Sequence, residues 1–137
     1  MIAWLAKQNW SNGKVGMFGI SWGGFNSIQM AVRKPPALKA FVALMATEDL
    51  YQEDVHYMDG ILHIDSWMMS NDLSNAMPGA PEFHLDEEWL RNRFDLEPSM
   101  YKYMEQQRDG PFWDRASARD KYDQIQIPGY FIGGWYD

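Results

Sequence analysis

An α/β fold is predicted, with parallel strands alternating with helices and a helical cap inserted between two of them. Three observations carry this expectation. Short apolar runs recur at 14–19, 38–46 and 129–135, with helical patterning between them. A glycine-flanked serine, Gly19-Ile20-Ser21-Trp22-Gly23-Gly24, sits where the first run gives way to a helix. About eighty residues then separate the second run from the third, far more than an ordinary connection needs.

The elements follow in order. Residues 1–9 open in an amphipathic helical pattern, and Ser11-Asn12-Gly13 turns the chain into the first strand at 14–19. A helix over 25–33 comes next, closed by Pro35-Pro36. Residues 38–46 (LKAFVALMA) are apolar on both faces, as a buried parallel strand requires. In the long segment that follows, helical patterns fall at 58–71, 86–95 and 98–108, the last with Pro98 at its start and Gly110 past its end. Residues 74–81 (SNAMPGAP) read as loop. The third strand, 129–135, is introduced by Ile125-Gln126-Ile127-Pro128. Alternating helix and strand imply a doubly wound parallel sheet. The expected organisation is a core over 1–50, a helical cap over 51–122 and a return to the core over 123–137.

Bulk properties narrow the function. A net charge of −7, with scattered basic residues, argues against nucleic acid or an anionic membrane as partner. No apolar run approaches 18 residues, and the N-terminus lacks the charged and apolar regions of a signal peptide, which favours the cytoplasm. With no cysteine there are no disulfides and no thiolate chemistry. The chain opens directly in a helix and stops at a strand tip, so it reads as a segment of a longer catalytic domain.

The serine turn is the chemically informative feature. Strand, sharp G-x-S-x-G turn and helix together form a nucleophile elbow, which makes the sheet a partial α/β-hydrolase fold. An elbow strains its serine so that the hydroxyl stands clear of the sheet. Strand and helix are expected to pass so closely that a Cβ at Gly19 or Gly23 would clash. The following helix aims its dipole at Ser21, and the Trp22 backbone N–H is a candidate oxyanion donor.

A serine nucleophile needs a histidine base, and the histidine needs a carboxylate. The acid belongs at the carboxyl end of a later strand, where Asp137 and Asp49 both stand. Gly133 and Gly134, a turn expected beside an active site, favour Asp137; Asp49 reads equally as a solvated loop residue or a helix N-cap. No histidine follows Asp137, and His56, His63 and His84 read as core or surface residues of the cap. Asp54, His56, Asp59, His63 and Asp65 are dense but match neither a zinc nor a calcium pattern, so no metal and no cofactor is expected. The aromatic residues of the insert could line a substrate pocket, although Trp67, Met68, Met69 and Trp89 read more simply as the cap's own core.

Several stretches together resemble one family. They are residues 4–16 (WLAKQNWSNGKVG), the elbow, 35–40 (PPALKA), 54–57 (DVHY) and 134–137 (GWYD). The chain resembles the Xaa-Pro dipeptidyl-peptidase-like serine hydrolases, including the cocaine esterase-like (CocE/NonD) enzymes and acylases. That resemblance implies Ser21 as nucleophile and Asp137 as triad acid, with Trp22 where the family usually has tyrosine. It also implies a catalytic histidine and a second oxyanion donor outside this chain, and a small ester, amide or short peptide as substrate. The expected function is acyl transfer to water through an acyl-enzyme, with the segment inactive by itself. The alternative is a truncated, non-catalytic vestigial or partner-binding module.

Overall fold

The computed structural model describes residues 1–54, 57, 58, 61, 62 and 66–135. Its centre is a parallel sheet of β1 (Val15–Ile20), β2 (Leu38–Leu44) and β5 (Gly129–Ile132), with β2 in the middle. Helix α2 (Trp22–Val32) connects β1 to β2 and packs against both. The register is continuous: Ile20 lies opposite Leu44, and Leu44 opposite Ile132, so all three strands end at one level. The α/β expectation is met, with each strand starting within a residue of its expected position and β5 ending earlier, at Ile132.

One sheet face builds the core. Met17, Phe41 and Ala43 point toward α2, where Ile28, Ala31 and Val32 close over them with Ala118, Ile125 and Ile127. Truncating a buried aliphatic such as Ile28 to alanine removes about 2–5 kcal/mol at a site of this kind. Phe41 sits so close under β5 that a Cβ on Gly129 would stand 2.4 Å from its ring. The other face is bare: Phe18 is 75% exposed and Tyr130 66%, with Ile20 and Ile132 also exposed beside them.

The N-terminal helix is shorter than its pattern suggests. Only α1 (Ile2–Leu5) is α-helical. The Gln8 side chain donates to the Trp4 carbonyl at 2.9 Å, and single turns carry the chain on to Ser11. Asn9, Trp10 and Ser11 are poor helix formers, so nothing extends the helix once that carbonyl is taken.

The segment between β2 and β5 differs more from expectation. The helix expected over 58–71 is displaced: a short antiparallel pair, β3 (Tyr57–Met58) and β4 (Ile61–Leu62), comes first, and α3 runs over Ser66–Ala76. The helix at 86–95 appears as α4 (Glu87–Trp89) continuing into a π-turn at Leu90–Phe94. It is started by Asp86, whose carboxylate accepts from the Trp89 amide at 2.8 Å. The helix at 98–108 appears as α5 (Ser99–Glu105). Gly110 does not cap α5. It opens a further turn, α6 (Pro111–Asp114), with Pro111 in the first position where its missing N–H costs nothing.

The packing of this segment is aromatic. Tyr57 is fully buried, and Trp113 is buried against it with ring centroids 4.7 Å apart. Tyr51 and Tyr103 stack on the same pair. Their polar tips are satisfied by backbone: Tyr57 Oη donates to the Tyr103 carbonyl at 3.0 Å and Trp113 Nε1 to the Gln106 carbonyl at 2.7 Å. Trp89 packs outside this knot, with its indole on the Ala76 carbonyl and its ring on Phe94. Trp67, Met68 and Met69 lie on α3, and their side chains are outside the description.

A clasp joins the two ends of the segment. Asp49 and Ser117 form an antiparallel bridge, and the Ala118 amide donates to the Glu48 carbonyl at 3.0 Å. Asp49, 3% exposed, accepts from the Tyr51 and Gln52 amides at 2.8 Å each and from Ser117 Oγ at 2.5 Å, with Arg119 Nε 3.7 Å away. Arg119 is itself held by Asp109 at 2.9 Å. From the core side, buried Gln29 of α2 donates to both the Glu48 and the Ala116 carbonyls. Tyr122 adds a hydrogen bond to Glu48 that pushes its phenol up to about 12. Asp49 is therefore neither a solvated loop residue nor a helix cap. It is the buried centre of the stem.

Burial alone would raise the Asp49 pKa, but the Ser117 hydroxyl, the Gln52 and Tyr51 amides and the Arg119 charge outweigh it and hold the carboxyl below its ordinary value. A depressed pKa means the clasp is fully stabilising above the ordinary aspartate range, near 4, and is lost as pH falls through the lower folded value. Asp49→Asn is expected to weaken the stem by about 3 kcal/mol at neutral pH. Hydrogen exchange at the Ala118 amide should then be faster than wild type by on the order of 100-fold, a gap that narrows at acid pH. Equal exchange rates at neutral pH would show that the carboxylate does not hold the stem.

Candidate active site

Ser21 sits between β1 and α2 with φ 53° and ψ −120°, a left-handed-side conformation that a non-glycine residue adopts only when its surroundings enforce it. The enforcement is on both sides: the Ser21 amide donates to the Leu44 carbonyl at 3.0 Å, and the Phe25 amide donates to the Ser21 carbonyl at 2.9 Å. Ser21 occupies the N-cap position of α2, yet its hydroxyl makes no capping hydrogen bond. Most serines at that position bond the amide two or three residues on. Here Ser21 is exposed.

The glycines explain the tight turn, with one correction. A Cβ on Gly19 would stand 2.4 Å from the Gly23 carbonyl carbon, so strand and helix pass in backbone contact there. A Cβ on Gly23 itself would meet nothing within 4 Å, contrary to the expected clash. The second obligatory glycine is Gly24, whose Cβ would come within 2.6 Å of Ala46 Cβ and 3.0 Å of the Leu44 carbonyl oxygen. Gly19 and Gly24 together let α2 start directly over the ends of β1 and β2.

Trp22 opens α2, so its amide lies in the first turn, at the positive end of the helix dipole beside Ser21. Its ring meets Phe25 edge-on at 5.4 Å and remains 40% exposed at the same end of the sheet. Ser27, one turn further on, donates to the Gly23 carbonyl at 2.8 Å and is fully buried, so it supports the helix and not the site.

Asp137, the expected acid, lies outside the described residues, as do His56 and His63. What is described is the path toward Asp137: β5 ends at Ile132, level with Leu44 and Ile20, and Gly133, Gly134 and Trp135 follow at the same sheet edge as Ser21. Asp49, the other acid considered, has both oxygens committed to the stem. His84 is exposed, on a shallow cavity of about 360 Å³ lined by Gly79, Glu82, Asp86, Trp89 and Arg93. The stem network was missed in the sequence, since nothing in a lone aspartate and serine 68 positions apart advertises their pairing. Among the described residues no helix is long and apolar enough to cross a membrane.

Comparison with known proteins agrees with this fold. Cocaine esterase of Rhodococcus sp. (strain MB1 Bresler) is 37% identical over 65 residues, which are 47% of this chain and 11% of that protein. A CocE/NonD family hydrolase from Staphylococcus aureus superposes with a TM-score of 0.67 at 25% identity, covering 93% of this chain and 20% of that one. An α-amino acid ester hydrolase (TM-score 0.63, 22% identity, 97% of this chain and 25% of that one) shares the fold. So does an aminopeptidase from a marine sediment archaeon of the Thaumarchaeota (TM-score 0.67, 19% identity, the same coverage). The chain thus spans a quarter or less of the length of each of these relatives.

The contrast between the glycines is directly testable. Gly19→Ala is expected to cost roughly 3 kcal/mol or more, because the atoms it meets are backbone and cannot move aside. Gly23→Ala should be neutral or stabilising by up to about 1 kcal/mol, since alanine suits a helix better than glycine. Thermal melts of the two variants check this, and equal losses would contradict the geometry. Residues 1–137 match the X-Pro dipeptidyl-peptidase (S15) family along their whole length, and the chain belongs to that family of hydrolases.

Proposed function

We propose that this chain is the nucleophile-bearing part of a serine hydrolase that cleaves ester or amide bonds through an acyl-enzyme. The observation that carries the reading is Ser21: an exposed, positive-φ serine at a strand-to-helix turn, with its hydroxyl unused for capping. That is the posture a nucleophile needs and a structural serine avoids.

Each residue has a derived role. Ser21 Oγ attacks the substrate carbonyl and gives its proton to a histidine, which lies outside this chain. The carbonyl oxygen becomes an oxyanion beside the first turn of α2, where the Trp22 N–H is one donor and the helix dipole adds favourable potential. Asp137 accepts from the histidine's other nitrogen, holds its tautomer and stabilises the imidazolium. Collapse expels the alcohol or amine, and water repeats the sequence on the acyl-enzyme. The support for Asp137 is its place in the sequence, four residues past Gly133, which follows β5 at the level where β1 leads into Ser21. Substrates are small esters, amides or short peptides, in keeping with the ester named by the related cocaine esterase and the peptide named by the matched family. Without the histidine, the 137-residue chain alone is inactive.

In the full-length protein, Ser21→Ala should lower kcat by several orders of magnitude and abolish labelling by a fluorophosphonate probe. Asp137→Asn should lower kcat by about 10⁴ with Ser21 still in place. Probe labelling that persists in Ser21→Ala, or turnover that survives it, would end this assignment.

A further inference from the structure

The sheet edge that carries Ser21 carries a second strained residue. Ile20, Leu44 and Ile132 stand opposite one another on β1, β2 and β5. One step beyond them the three chains place Ser21, Met45 and Gly133 in a row, at the usual inter-strand spacing of about 4.8 Å. Ser21 has φ 53° and Met45 has φ 42°, so neighbouring strands end on residues of positive φ at the same level. Glycine would adopt that conformation freely; a methionine there is a true outlier.

The backbone of Met45 is fixed while its side chain is not buried. Its amide donates to the Ile132 carbonyl at 2.8 Å, and the preceding carbonyl, of Leu44, accepts from Ser21. The following residue, Ala46, lies against Gly24 at the start of α2. Met45 itself is 46% exposed and belongs to no part of the core under α2. Gly133 offers no side chain, so Met45 is the row's apolar side chain next to the serine, with the half-exposed Trp22 on the helix side. A flexible, polarisable thioether suits a surface that must fit acyl groups of different shape.

We propose that Met45 is a specificity-determining residue: its side chain forms the acyl-contacting surface beside Ser21 and selects for apolar acyl groups over the acetyl group. This deepens the proposed hydrolase function and rests on it. Backbone strain at Met45 is what holds the thioether at the edge of the sheet.

The test uses the full-length protein, with p-nitrophenyl acetate and p-nitrophenyl hexanoate as substrates. The quantity read is the ratio of kcat/KM for hexanoate to that for acetate, which is independent of the fraction of enzyme folded. Met45→Gly keeps the backbone conformation and removes the side chain; Met45→Asn also tolerates positive φ and replaces the thioether with a polar amide. Both are expected to lower the ratio by about tenfold or more, in line with the discrimination a hydrophobic contact provides. Met45→Leu should keep it within about threefold of wild type. A wild-type ratio in either Met45→Gly or Met45→Asn, with ester turnover intact, overturns the role of Met45 and leaves the hydrolase assignment standing. A wild-type protein that hydrolyses neither ester and takes no fluorophosphonate label overturns both.

Discussion

Everything at the candidate site depends on how closely α2 can approach the ends of β1 and β2. At Gly19 the strand touches the helix backbone, and at Gly24 the helix touches the carbonyl of Leu44 and the methyl of Ala46. Two missing methyl groups bring the first turn of the helix directly above the strand ends. Ser21, caught between, is held at positive φ, and its hydroxyl makes no capping bond to the helix. The strain is compensated by the packing of Ile28, Ala31 and Val32 onto Phe41 and Ala43, which presses the helix down along its length. Core and site are thus one mechanical unit: hydrophobic burial on one side of the helix supports an unfavourable dihedral at its tip.

The same logic explains which parts of the structure could be read in advance. Val15–Ile20 and Leu38–Leu44 are short apolar runs bounded by Gly13 and Pro36, and such runs have few alternatives as buried strands. The elbow was readable because its glycines are dictated by contact between backbones, which leaves a fixed spacing in the sequence. Which glycine serves which contact was not readable: Gly23 carries the motif, but the steric need falls on Gly24. That depends on where the second strand ends, a fact of three dimensions.

The segment between β2 and β5 was readable only as a long insertion. Its helices are short, its core is an aromatic knot of Tyr51, Tyr57, Tyr103 and Trp113, and these residues follow no 3.6-residue period. The β3–β4 pair takes up Met58, Ile61 and Leu62, apolar residues that a helix over 58–71 would also use. Asp49 shows the limit most clearly. Its sequence position suited an active-site acid, and its actual task is set by Ser117 and Arg119, far along the chain.

The clasp also has a bearing on how such proteins diversify. Beyond β2 the chain passes through the stem at Glu48-Asp49 and comes back through it at Ala116-Ser117, and the two ends are tied to each other and to Gln29 before the aromatic knot begins. Closing a loop costs only slightly more as the loop lengthens, so once its ends are fixed the contents are nearly free to vary. Replacement of residues 50–116 by a cap of other length or shape would leave the elbow geometry untouched. The stem works as a socket, and a lineage can exchange what it holds without rebuilding the sheet and the turn beneath it.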